Sequence, residues 1–326
     1  MNIKDVAKHA GVSTATISRV INNNGIVQNA TREKILRSME ALNYRPSVRQ
    51  QLRAADVAPI KYKKIALLWT TGFTSETARV ITIGLSQELK KIGAQLTVDY
   101  MTEPEDIPQC LVEGKLDGVI IHGNVPSQAQ QKKLSNFPLT WILQAGSADF
   151  GDRVQPDHYY AGYLAADYLL KNDCKQFCCV TYDGKSSMPM YWKSRSDGFR
   201  NHISAQNVEC KLLTCPVQNP EMDRISSTKK IVDDFLAISP RPEGLFIAND
   251  LGDLIHNELL CRGIVPMKDV LIVAGNTKAH PKVVDIEFYS KEIGQYAVES
   301  LIWRIKNPTM PLMTHSIQPK LIIPSV

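Results

Sequence analysis

Two groups of side chains in this 326-residue sequence have the types and spacing to do chemistry. The first is Thr14-Ala15-Thr16-Ile17-Ser18-Arg19, followed by Asn22. On a helix, short side chains at the start permit close approach to a major groove, and a long Arg further on reaches base edges; a bidentate Arg–guanine pair contributes about 1–3 kcal/mol of discrimination. Arg19 is the leading base reader, with a surface pair to a phosphate or an acid as its alternative. The second group follows the ends of apolar runs: Thr70, Thr71 and Phe73 after IALLW, Asn249 and Asp250 after GLFIA, Asn276 and Thr277 after VLIVA. Amides and a carboxylate beside aromatic rings suit a neutral polyhydroxylated ligand such as a sugar. Asp250 has a second reading, as the cap of a helix beginning at Leu251.

Enzyme chemistry finds less support. Gly184-Lys185-Ser186 resembles the end of a phosphate loop, but the Gly required five residues earlier is Cys179. The seven cysteines (Cys110, Cys174, Cys178, Cys179, Cys210, Cys215, Cys261) are scattered without CxxC spacing, and Cys178 and Cys179 fall in an apolar run where they pack as small hydrophobes. No His has a partner at zinc spacing, and there is no nucleophile elbow. The expectation is therefore no metal, no cofactor and no enzyme; a sugar-acting enzyme with a DNA-binding leader is the rival reading.

Positioning the first group takes a small helical unit. Ile3, Val6, Ala7 and Ala10 recur at i, i+3, i+4, i+7, so a short amphipathic helix is expected over 3–10, with Asn2 as its cap and Gly11 as its stop. Ser13 then caps a second helix that turns Ile17, Val20 and Ile21 inward and leaves Thr14, Ala15, Thr16, Ser18 and Arg19 toward solvent. After the turn residues Asn22–Gly25, Ile35, Met39 and Leu42 mark a third helix ending before Tyr44 and Pro46. Three short helices in this span fit a helix-turn-helix bundle over residues 1–46. Residues 47–62 are polar, rich in Arg, Gln and Ala, and read as a linker.

From Lys63 the pattern changes to short apolar runs separated by amphipathic helices: IALLW (65–69), LTVDY (96–100), GVIIH (118–122), LTWIL (139–143), FCCVTY (177–182), GLFIA (244–248) and VLIVA (270–274). Alternation of buried strands with helices predicts a doubly wound α/β core over 63–326, with ligands beyond the carboxyl ends of the strands.

The charge is equally uneven. Residues 1–56 carry nine Lys or Arg against four acids, which accounts for the whole excess of 38 basic over 33 acidic residues. A basic unit joined to a neutral one is the electrostatic pattern of a nucleic-acid reader attached to something else. A hydrophobic content of 44% with 22% charged residues excludes a disordered or collagen-like chain. No apolar run reaches the length of a membrane span, and the opening MNIKDVAKHAGVS carries charges where a signal peptide needs an apolar core, so a cytoplasmic protein is expected.

The stretch IKDVAKHAGVSTATISRVINNNGIVQNATREKILRSMEALNYRP resembles the DNA-binding headpiece of the lac-repressor and purine-repressor family of bacterial transcription regulators. The AGVS–TISRVIN core, the V-x-x-x-T-R-E-K segment and L-N-Y-x-P stand at that family's spacing. The resemblance implies that Thr14, Ala15 and Arg19 read bases while Thr16, Ser18 and Asn22 lie against phosphates. It also implies a hinge helix in which Leu52 wedges a base step from the minor groove, with Arg49 and Arg53 beside it. The interval from Pro46 to Leu52 is one residue shorter than in well-known members, which turns Leu52 by about 100° on an ideal helix. A flexible tether whose arginines touch phosphates is the alternative.

LDGVIIHG (116–123), the helix from Asp157, Arg195-Ser-Asp-Gly-Phe-Arg and IAND extend the resemblance to a two-subdomain core similar to periplasmic sugar-binding proteins. Its implied subdomains are 63–155 with 286–312, and 156–285 with 313–326. It implies an effector site of Thr71, Phe73, Asp157, Arg195, Asn249, Asn276 and Phe288. Asn276 stands where the family carries an Asp, which suggests a ligand with fewer hydroxyl donors or with an anionic group. The implied function is a ligand-responsive, sequence-specific repressor. It binds a palindromic double-stranded DNA operator as a homodimer and responds to a small-molecule effector, expected to be a carbohydrate.

Overall fold

The computed structural model describes residues 3–21, 29–42, 64–70, 76–103, 105–145, 150–183, 190–215, 224–275 and 283–324. The chain divides into two compact units, Met1–Tyr62 and Lys63–Val326.

The first unit contains α1 (Ile3–Ala10), α2 (Thr14–Ile21) and α3 (Asn29–Ala41). Gly11, at φ +61, ends α1 in the left-handed conformation that a residue without Cβ adopts freely. The Thr16 N–H donates to Ser13 Oγ at 3.1 Å, so Ser13 caps α2 as its position suggested. Val6, Ala7, Ala10, Ile17, Val20 and Ile35 form a small sealed core, with Val12, Met39 and Leu42 packed on it. At these positions the periodicity read from the sequence is the packing face; the side chains of Ile3 and Ile21, also read as inward, lie outside the described residues. Asn2 and residues 43–63, which hold Arg49, Leu52 and Arg53, lie outside the described residues.

The second unit opens with β1 (Lys64–Trp69), α4 (Glu76–Lys91), β2 (Gln95–Tyr100), α5 (Gln109–Glu113), β3 (Gly118–Asn124), α6 (Gln128–Leu134), β4 (Leu139–Ala145) and β5 (Asp152–Pro156). There follow α7 (His158–Lys171), β6 (Phe177–Tyr182), α8 (Met190–Ser204), β7 (Cys210–Cys215), α9 (Arg224–Leu236), β8 (Gly244–Ile247), α10 (Gly252–Cys261), β9 (Leu271–Gly275) and β10 (Val284–Glu287). The chain ends with α11 (Ser290–Lys306), β11 (Thr314–Ile317) and β12 (Lys320–Ile322). Two six-stranded sheets result, in the orders β11-β5-β4-β3-β1-β2 and β12-β10-β9-β8-β6-β7. Neighbouring strands are parallel except for β12, which runs antiparallel to β10.

All seven apolar runs are strands. Among the described residues five further strands (β5, β7, β10, β11 and β12) carry little or no apolar run to announce them. The chain passes between the sheets three times, after β5, after β10 and after β11. The sequence reading placed the last passage at 313, but Thr314–Ile317 pairs with Arg153–Pro156 in the first sheet, so the passage falls between Ile317 and Lys320. At the second passage Tyr289 holds φ +54, an uncommon conformation for a residue with a bulky side chain.

Each sheet is covered by a helix pair that touches backbone to backbone. A Cβ on Gly84 of α4 would overlap the Lys291 carbonyl, and one on Gly294 of α11 would overlap the Ile81 carbonyl. In the second sheet's layer, Gly162 of α7 faces the Arg195 carbonyl and Gly198 of α8 faces the Tyr159 carbonyl in the same manner. Cys178 and Cys179 lie fully buried on opposite faces of β6, one in each of that sheet's two hydrophobic clusters. Burial pushes both thiols far above the ordinary range, so they are packing groups.

Candidate functional site

A cavity of about 120 Å³ opens between the two sheets. It is lined at its polar end by Arg195, His158, His122, Asn249 and Asp250, and by the rings of Tyr191, Trp192 and Phe288. The strand ends and helix starts converge there as a doubly wound architecture requires: His122 is on β3, His158 opens α7, and Asn249 and Asp250 follow β8.

Arg195 is the centre. The glycine contacts let α7 and α8 approach closely, and this brings Arg195 Nε to 3.2 Å from His158 Nδ1, to which it donates. Nη1 donates to the Ala248 carbonyl at 3.2 Å. The Phe288 ring stacks 4.0 Å from the guanidinium carbon and Tyr191 lies at 5.3 Å. Gly275 leaves room for this, since a Cβ there would strike Phe288. The guanidinium residue is only 8% exposed, and burial lowers its pKa to about 10, against the opposing pull of Tyr191 and Asp250.

Because Nε–H donates to it, His158 Nδ1 must carry a lone pair, which puts the ring proton on Nε2. That Nε2 is buried and has no hydrogen-bond partner among the described residues. Burial first, and then the Arg195 charge, hold His158 neutral by pushing its pKa well below the usual histidine range. His122 stacks on Trp69 with centroids 4.4 Å apart, and neither of its nitrogens has a partner among the described residues. Burial lowers its pKa to about 4.

Asp250 is already engaged. Tyr182 Oη donates to its Oδ1 at 2.5 Å, and Arg224 donates to Oδ2 at 3.2 Å and to the backbone carbonyl at 2.8 Å. The capping alternative does not hold: α10 begins at Gly252 with no side-chain cap, and the Leu251 N–H is taken by Asn249 Oδ1 at 3.1 Å. Asn249 Nδ2 faces Cys215 Sγ at 3.8 Å, so this amide braces the β7–β8 end while lining the cavity.

Of the effector residues read from the sequence, the structure brings together Arg195, Asn249 and Phe288. Asp157 is not among the lining residues; its Oδ1 accepts the Tyr160 N–H at 2.8 Å and caps α7. Thr71, Phe73 and Asn276 lie outside the described residues. Thr70 donates its hydroxyl to the His122 and Asn124 carbonyls and so pins β1 to β3. His122, His158, Tyr191 and Trp192 were missed. His122 carried a signal, because it ends the GVIIH run.

In the N-terminal unit, Thr14 and Ala15 are exposed on the first turn of α2, with Thr16 and Ser18 half-buried behind them. Arg19 belongs to α2, but its side chain and all of Asn22 lie outside the described residues.

Residues 2–47 match the family described as bacterial regulatory proteins, lacI family, and residues 166–324 match the periplasmic binding protein-like domain. The HTH-type transcriptional repressor PurR of Aliivibrio salmonicida (strain LFI1238) is 28% identical over 320 residues, covering 94% of this chain and 92% of the relative. Among solved structures, the ribose-bound LacI family transcriptional regulator from Enterococcus faecium superposes with a TM-score of 0.67. It is 19% identical and covers 81% of this chain and 100% of its own. The Lac repressor dimer bound to operator and the anti-inducer ONPF gives a TM-score of 0.64 at 18% identity, covering 99% and 97%. These structural likenesses speak to the fold.

Proposed function

The chain belongs to the lac-repressor and purine-repressor family of bacterial transcription regulators, and from that premise we propose how its parts divide the work. It is a DNA-binding transcriptional regulator with an effector-binding core. Residues 1–46 form the headpiece, 47–62 the hinge and 63–326 the effector and dimerisation core. Thr14, Ala15 and Arg19 read bases. Thr16, Ser18, Asn22, Arg49 and Arg53 track phosphates, and Leu52 is the minor-groove wedge. Two copies of the chain bind a palindromic operator in the cytoplasm, since one small headpiece spans a half-site.

The observation that carries the DNA reading is the capped first turn of α2, which presents Thr14 and Ala15 to solvent while Ile17 and Val20 anchor the opposite face. The cavity holds the effector, for which we propose a carbohydrate of monosaccharide size. Its volume of about 120 Å³ is below the roughly 300–1,000 Å³ of pockets for drug-sized ligands. The aromatic rings flank polar groups at the same end, as sugar faces and hydroxyls require. Effector binding acts by preferring one relative arrangement of the two sheets, and only unequal affinity for two arrangements moves that equilibrium.

Duplexes selected from a randomised pool provide the test. Affinity is expected to fall with salt with a log–log slope of about −0.9 per phosphate neutralised and to vanish when residues 1–55 are deleted. Arg19→Ala is expected to relax sequence preference at one position of each half-site by about 1–3 kcal/mol. A deletion variant that selects the same duplexes would overturn the headpiece assignment, and turnover of a sugar by the purified protein would favour the enzyme reading.

A further inference from the structure

The cavity's electrostatics narrow the class of effector. Arg195 is a buried cation whose partners among the described residues are an imidazole nitrogen, a backbone carbonyl and two aromatic faces, none of them negatively charged. The one carboxylate among the described lining residues, Asp250, is hydrogen-bonded by Tyr182 and ion-paired with Arg224. Three of the five Arg195 N–H groups, including both on Nη2, have no partner among the described residues.

The imidazoles tip the balance the same way. His158 Nδ1 is already an acceptor for Arg195, so its Nε2 carries the proton, and that N–H has no partner among the described residues. A neutral His122 adds one donor and one acceptor. Apart from hydroxyls, which both donate and accept, the described residues at the polar end therefore hold three guanidinium N–H groups and two imidazole N–H groups against one imidazole acceptor and the already engaged Asp250 carboxylate. Asn249 does not redress this, since its carbonyl oxygen is taken by the Leu251 N–H. A sugar hydroxyl can accept from these donors but brings a donor of its own each time, whereas an ionised acid group brings acceptors only, together with a counter-charge. A buried charge with no counter-charge is also costly to leave unpaired.

We propose that the effector is an anionic small molecule, a monosaccharide-sized sugar bearing a carboxylate or phosphate, whose acid group docks on the Nη edge of Arg195 beside His158 Nε2. The inference rests on the cavity being the carbohydrate effector site. Phe288 stacks on the guanidinium face and leaves the edge as the surface for the acid group. A guanidinium edge suits this because it can grip two oxygens at once.

Isothermal titration of the full-length protein tests it with matched probes: glucose, galactose, mannose and ribose, their uronates where these exist, their terminal phosphates, and inorganic phosphate alone. One acid is expected to bind roughly 10- to 100-fold tighter than its neutral parent, the factor charge-assisted hydrogen bonds provide. Arg195→Gln is expected to erase that ratio, and Arg195→Lys to retain part of it. The uronate and phosphate arms tell the two acids apart. A neutral parent binding as tightly as its acids, or an Arg195→Gln protein that keeps the preference, overturns the anionic assignment and leaves the carbohydrate site standing. A panel in which nothing binds overturns the carbohydrate site itself, and this inference falls with it. If Arg195→Gln does not fold, the wild-type ratio of acid to parent decides alone.

Discussion

Two buried arginines in the same α/β core live in opposite circumstances. Arg304, near the end of α11, donates Nε and Nη2 to the two Asp152 oxygens at 2.9 and 2.6 Å, and its remaining N–H groups meet the carbonyls of Asn307, Met310 and Pro311. All five donors are used, and the Asp152 carboxylate, wholly buried, also accepts the Met313 N–H at 2.8 Å. This cluster fastens the segment after α11 to β5 and so sets the entry to β11. Arg195 is as deeply buried, with three donors unused and no carboxylate in ion-pair contact among the described residues. The same residue type is a lock where its partners are built in and a docking point where they are left out. Burial alone distinguishes nothing.

The sharpest way to break that contrast is to remove each guanidinium. Arg304→Met leaves Asp152 charged, buried and short of its partner, and is expected to cost about 3–5 kcal/mol. At roughly 2–4 °C per kcal/mol for a unit of this size, calorimetry would register a large fall in Tm. Arg195→Gln removes a cation that leaves no buried carboxylate stranded, only the neutral His158 Nδ1 and the Ala248 carbonyl, so its Tm is expected to stay within about 3 °C of wild type. Comparable losses from the two variants would mean that Arg195 is structural, and its proposed role would fail.

The next largest effect is on pH dependence. His122 is neutral in the folded protein, with a pKa lowered by burial to about 4 from its ordinary 6.5, and it gains a proton more readily when the chain unfolds. The unfolded chain therefore binds more protons in that window, and folding stability falls as the solution is acidified from about pH 6.5 to 4, by at most about 3 kcal/mol from this residue. His158 adds to the loss in the same direction. His122→Gln keeps a polar group at the end of β3 without the titration. Urea denaturation at pH 7 and pH 4.5 is expected to show a smaller acid loss in the variant, and an unchanged slope would place His122 in contact with solvent.

How much of this was legible in the sequence follows the same physics. FCCVTY and VLIVA announce themselves because strands buried on both faces are apolar throughout. Asp152–Pro156 does not, because DRVQP alternates buried with half-buried positions and its first residue is the acid that Arg304 neutralises. Cys210–Cys215 and Thr314–Ile317 are end strands with largely exposed residues, so no apolar run marks them. Met190–Ser204 is built around Arg195 and Gly198, whose purposes lie in the cavity and in a close backbone contact, and it is correspondingly weak as an amphipathic pattern. In the site, Arg195, Asn249 and Phe288 were legible through resemblance. His158 was not, because its chemistry comes from Arg195, a neighbour 37 positions away.

A pair of glycines tests whether the cavity depends on helix spacing as the two arginines depend on their partners. Gly84→Ala and Gly162→Ala each drive a methyl group into a carbonyl of the facing helix, and each is expected to cost about 1–3 kcal/mol as overpacking. The carbonyl facing Gly162 is that of Arg195 itself, so this variant also displaces the guanidinium. Effector affinity is expected to drop severalfold in Gly162→Ala and to hold in Gly84→Ala at matched temperature below both transitions. Equal affinity losses would show that the cavity responds to general loosening rather than to the position of Arg195.

The smallest expected effect lies in the N-terminal unit, where the same accounting applies to one exposed hydrogen bond. Ser13 Oγ accepts the Thr16 N–H at 3.1 Å and meets the Thr16 hydroxyl at 2.9 Å. Ser13→Ala leaves that exposed N–H with the Ser13 carbonyl at 3.0 Å and with water, not in a buried void, so the cost is about 1 kcal/mol, well below that of stranding Asp152. Because Ile17 and Val20, the α2 side chains described in the sealed core, lie beyond the first turn, the loss should appear as fraying of that turn, which carries Thr14 and Ala15. Amide exchange at Thr16 and Ile17 is expected to accelerate about fivefold, the factor that corresponds to 1 kcal/mol, while the Tm of the α/β core stays fixed. A headpiece whose amides are unmoved would mean that packing of Ile17 holds the turn without its cap, and the reading face would then owe its shape to the core beneath it.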